Sequence, residues 1–115
     1  MASGKVVSAQ KRTVLLFHPE PKNLDAMQRA LADHLPQADF RLVHNLTRDA
    51  HEFAVRDAMD GHIDAAVVSG NNEAVRALVK DLIPFVGKDN VVVHTRPSRK
   101  LSKSAVDKLK KALGV

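Results

Sequence analysis

Four short apolar runs, TVLLF (13–17), FRLVHN (40–45), IDAAVVSG (63–70) and VVVHT (91–95), are separated by stretches whose apolar residues recur every three or four positions. Strand-length runs alternating with amphipathic helical patterns predict βα units wrapped around a parallel sheet. The third run is nearly continuous in small apolar residues, as expected of a strand covered by helices on both faces. Right-handed crossovers then predict a three-layer, doubly wound α/β fold with about four strands in the order 2-1-3-4.

The segments between the runs carry helix punctuation. Pro19 and Pro21 end the first strand, Asn23 is a candidate N-cap, and Leu24, Met27, Leu31 and Leu35 form a stripe closed by Pro36. Asp49 and Glu52 match a capping box, with Ala50, Phe53, Ala54 and Ala58 as the apolar face and Gly61 as the stop. Asn71 or Asn72 would cap a third helix bearing Val75, Leu78, Val79 and Leu82, which Pro84 and Gly87 are expected to break. Ser104 and Asp107 suggest a last capping box, ahead of Ala105, Leu109, Ala112 and Leu113.

The chain has 115 residues, enough for one domain with a real core. It has no Cys, which excludes disulfides, thiolate metal sites and Cys nucleophiles and fits a reducing cytoplasm. Aromatics amount to four Phe, so the stacking platforms of single-strand nucleic-acid binders are largely missing. No apolar run approaches the roughly 18 residues that span a bilayer, and the N-terminus lacks the apolar core of a secretory signal. The basicity behind the net charge of +5 is confined to the two ends. Residues 1–12 carry Lys5, Lys11 and Arg12 without an acid and read as a flexible basic arm before a single domain over 13–115. The segment 96–115 sets Arg96, Arg99, Lys100, Lys103, Lys108, Lys110 and Lys111 against Asp107 alone, while the body between is acidic. Such a tail can attract phosphate backbones, acidic lipids or acidic protein faces; its simplest reading is a solvated helix face. Without bulky aromatics its apolar side is expected to dock on the sheet and not on a membrane.

Residues 14–24, VLLFHPEPKNL, resemble the start of a response-regulator receiver (CheY-like, flavodoxin-like) domain. Val14 to Phe17 match the first strand of that family, Glu20-Pro21 its Glu-Pro, and Asn23-Leu24 its helix entry. His18 and Pro19 stand where the family carries an acid pair. In HIDAAVVSGN, Asp64 matches the Asp that opens the family's third strand, and Ser69 falls at the phosphoacceptor Asp. The similarity covers about residues 13–80. Beyond them one strand remains where a receiver has two. Thr95 could match the hydroxyl residue ending the fourth strand, or Arg96-Pro97 the Lys-Pro ending the fifth.

The resemblance implies a phosphoryl-transfer site, and the substitutions damage each of its parts. Mg²⁺ prefers hard oxygen ligands, which His18 and Pro19 do not supply. A serine hydroxyl cannot form an acyl phosphate, and Arg96 in place of lysine keeps charge but not a compact ammonium. The expectation is a degenerate pseudo-receiver, not an enzyme and without a cofactor, acting in two-component-type signal transduction through a protein partner. A homodimer is a further expectation from the resemblance. Two other readings stand beside it. A basic accessory protein would touch nucleic acid through Arg96, Arg99, Lys100, Lys103, Lys108, Lys110 and Lys111, with strong salt dependence. A small metal- or anion-binding enzyme would use His18, His44 and His94, each at a predicted strand end, against the simpler reading of ordinary strand-end histidines. Ser69 lacks the Gly-x-Ser-x-Gly elbow of a hydrolase nucleophile, and in SGNNEA helix capping is favoured over an anion cradle.

Overall fold

A computed structural model describes residues 12–95 and 102–114. In chain order it contains β1 (Arg12–Phe17), α1 (Pro21–His34), β2 (Ala38–Val43), α2 (Arg48–Met59), β3 (Ala65–Ser69), α3 (Glu73–Val86), a 3-10 turn (Lys88–Asn90), β4 (Val91–His94) and α4 (Lys103–Leu113). The four strands form one all-parallel sheet in the order β2-β1-β3-β4. This is the doubly wound, flavodoxin-like arrangement that the alternating pattern predicts.

Two apolar layers sandwich the sheet because successive strand residues point to opposite faces. Val14 and Leu16 of β1, with Ala65 and Val67 of β3, pack against Leu24, Met27 and Leu31 of α1 and Leu109 and Leu113 of α4. Leu15, Phe17, Ala66 and Val68 pack against Ala54 and Ala58 of α2 and Val75, Leu78 and Leu82 of α3. The final helix thus crosses back to the face that α1 occupies. At the opposite end of the sheet from the loops that follow the strands, Asp64 ties β1 to β3. Its Oδ2 accepts from Thr13 N–H at 2.8 Å, and its own N–H donates to Thr13 O at 2.9 Å.

Element ends depart from the sequence expectations in physically instructive ways. β2 begins and ends two residues earlier than the apolar run, because its register is set by β1, from Arg12↔Ala38 to Phe17↔Val43. His44 and Asn45 therefore lie past the strand. α1 starts at Pro21, which needs no N–H partner in the first turn, and Glu20 takes the cap position in place of Asn23. Thr47 caps α2, its Oγ1 accepting from Ala50 N–H at 3.1 Å. Glu52 pairs instead with Arg48 one turn back, at 3.5 Å. Phe53 points outward at 65% exposure, while Leu46 and Val55 pack against the layer. Ser102, two residues before the expected Ser104, caps α4 by accepting from Ala105 N–H at 3.1 Å.

Pro84 does not break α3, which runs on to Val86. Proline removes the bond to the carbonyl four residues back, here that of Lys80, and both residues are exposed, where water substitutes. The helix stops at Gly87, whose φ of 101° only glycine adopts without strain. Leu82 is fully buried, so Leu82→Ala is expected to cost about 2–5 kcal/mol in chemical denaturation. Phe53→Ala should change stability by no more than about 0.5 kcal/mol.

Candidate functional site

In open parallel sheets ligands bind beyond the carboxyl ends of the strands, where neighbouring strands send their connections to opposite sides. Here that point lies between β1 and β3. The first group beyond β1 is His18, 2% exposed. Its backbone N–H donates to Val43 O at 3.1 Å, extending the β1–β2 ladder. Its ring nitrogen Nδ1 accepts from the backbone N–H of Glu20 at 3.0 Å, which places the imidazole proton on Nε2. Glu20 O in turn accepts from Leu24 N–H at 2.9 Å, closing the first turn of α1. The buried imidazole thus does the work of a short polar side chain that turns the backbone two residues on, and the exposed Pro19 and Pro21 hold the corner.

Ser69 ends β3 with no exposed surface. It shares its face with Ala65 and Val67, so it lies under α1, and its hydroxyl meets Met27 Sδ at 3.9 Å. Gly70 follows with φ 121°, and a Cβ there would stand 3.1 Å from Val75 Cγ2. Glycine therefore lets α3 start directly against the strand end. Asn72, of the two candidate asparagines, caps α3, its Oδ1 accepting from Val75 N–H at 2.9 Å. That amide oxygen is committed to the helix, as the capping reading of SGNNEA requires.

A depression of about 460 Å³ opens at this end of the sheet, lined by Phe17, Pro19, His44, Asn45, Leu46, Asn72 and Ala74. Its polar groups are an imidazole and neutral amides, and no carboxylate lines it. The histidine metal site loses its footing here. Among the described residues no group of three or more His, Asp or Glu side chains is placed to hold a metal ion. His44 is exposed beyond β2, and β3 separates β1 from β4, which puts His18 and His94 two strand spacings apart, roughly 10 Å. A histidine contact that sequence reasoning missed lies elsewhere: His51 Nε2 meets Asp81 Oδ2 at 2.8 Å, bridging α2 and α3.

Thr95 is exposed just past β4, away from the depression. Of the basic residues, Lys103 and Lys111 are exposed on α4 and Lys110 is half-buried. Lys108 donates from Nζ to Val91 O at 3.3 Å, tying α4 to the start of β4. Arg96, Arg99 and Lys100 lie outside the described residues, as does the basic arm before Arg12. Arg12 itself belongs to β1 and faces Asp64 at 3.6 Å.

The His18 corner yields a direct test. His18→Leu strands the Glu20 N–H and should cost about 1–3 kcal/mol, whereas His18→Asn keeps an acceptor two residues before that N–H and should lose less; denaturant midpoints measure both. No family model, curated protein or solved structure matches the chain.

Proposed function

We propose that this chain is a receiver-like regulatory module of the two-component type that acts inside the cytoplasm by binding a protein partner, independently of phosphorylation. The observation that carries the reading is the enclosure of Ser69. The position that matches the phosphoacceptor of the family carries a hydroxyl, and that hydroxyl is sealed beneath α1 against Met27. Phosphoryl transfer needs an attacking oxygen in line with the donor phosphorus, and a fully covered side chain offers no such approach. The neighbouring depression adds no carboxylate with which Mg²⁺ would be held. His18 and Pro19, at the positions of the acid pair, serve the entry to α1.

The return of α4 to the face of α1 also favours the register in which Arg96-Pro97 stands for the family's closing Lys-Pro, with one βα unit missing before it. Nucleic-acid contact through the basic segment is the weaker reading, since Lys108 is already engaged with the backbone of β4.

Beryllofluoride with Mg²⁺, followed through amide spectra, tests the proposal. His18, Ser69 and Gly70 should not shift; a Mg²⁺-dependent shift at these residues overturns it. A salt titration of duplex DNA binding checks the weaker reading, which requires binding that collapses as ionic strength rises and disappears when residues 96–115 are removed.

A further inference from the structure

β4 is an end strand, and among the described residues it pairs with β3 alone. Gly70 N–H donates to His94 O at 2.8 Å, so the backbone groups of His94 face β3. Along a parallel strand alternate residues turn these groups to opposite sides, which directs those of Val91 and Val93 off the edge. Val91 O accepts from Lys108. Val93 presents its N–H and carbonyl beside a side chain that is 43% exposed. The other end strand, β2, carries Asp39 and Arg41, the kind of charge that discourages pairing. β4, with sequence VVVH, carries no carboxylate, lysine or arginine.

α3 overhangs this open edge. Between them runs a groove of about 540 Å³ whose floor includes Val79, Ile83 and Val93. Its charged lining residues are Arg76 and Lys80, one turn apart on α3 and both exposed, and no acid lines it. Among the described residues neither makes an ion pair. Val91 N–H is likewise taken, by Lys88 O. The hollow therefore combines the outward N–H and carbonyl of Val93, which no described residue engages, with an apolar floor and positive charge on its helical wall.

We propose that this groove binds an acidic polypeptide segment in extended conformation, added as a fifth strand along β4. Main-chain bonds to Val93 hold it, alternate apolar side chains cover Val79 and Ile83, and a carboxylate meets Arg76 and Lys80. The inference rests on the protein-binding reading above and names its surface and partner chemistry. A second copy of this chain fits less well, because pairing two β4 edges brings one basic groove up to another.

A displayed library of random short peptides, selected against the full chain at physiological salt, tests this. The enriched peptides should combine alternating apolar residues with an acid, and their amide shifts should concentrate at Val93, Thr95 and α3. The double change Arg76→Glu and Lys80→Glu, on exposed helix surface, should weaken binding about tenfold, and a lysine-for-acid peptide should recover it. Val93→Pro, which removes the outward N–H, should abolish binding in a variant that keeps the parent's circular dichroism. Failure to enrich any peptide, enrichment without acids, or a dimer formed through β4 overturns the groove. Tight binding mapped elsewhere also overturns it but leaves the protein-binding reading standing, whereas a beryllofluoride response overturns the phosphorylation independence of that reading and leaves the groove standing.

Discussion

Everything else in the molecule hangs on the pairing of β1 with β3, two strands buried on both faces. Val14, Leu16, Ala65 and Val67 require one layer of helices, and Leu15, Phe17, Ala66 and Val68 require another. Neither layer can be omitted without exposing a row of aliphatic side chains to water. The chain meets this demand by sending α1 and α4 to one side and α2 and α3 to the other. The reversal at β1 and β3 is a consequence of that double burial, and the depression at their carboxyl ends follows from the reversal.

The corner after β1 shows a residue type suited to catalysis or metal binding used for chain direction. His18 lies where a ligand-facing acid would be expected from the resemblance, yet its ring is covered and its Nδ1 is spent on a backbone N–H two residues on. Pro19 beside it stiffens the corner and forms part of the wall of the depression. Ser69 at the neighbouring strand end is likewise turned inward. Neither side chain is presented to the surface that an open sheet of this kind ordinarily uses for chemistry.

Much of the architecture is legible in the residues, because each strand and helix carries its own period and the crossover rule leaves few strand orders. Strand and helix ends are less so. The run FRLVHN looks strand-like to its last residue, but β2 can extend only as far as the register with β1 allows. Thr47 and Ser102 win the caps over Asp49 and Ser104, and neighbouring polar residues are too alike locally for the sequence to choose between them. His18 shows its identity in the sequence but not the bond its ring makes. The groove along β4 is invisible there for another reason: Val79 reads as core, and only because β4 ends the sheet among the described residues does Val79 come to line a groove.

Gly70 ties the two hollows together. It lines the groove at β4, and Asn72 and Ala74, just beyond it, line the depression past β1. A Cβ at Gly70 would stand 3.1 Å from Val75 Cγ2, so any larger residue obliges that side chain to give by a few tenths of an ångström, on a backbone whose φ of 121° already disfavours it. One short loop thus contributes walls to two hollows, and the glycine at its start is where crowding would first be felt, at the Val75 side chain.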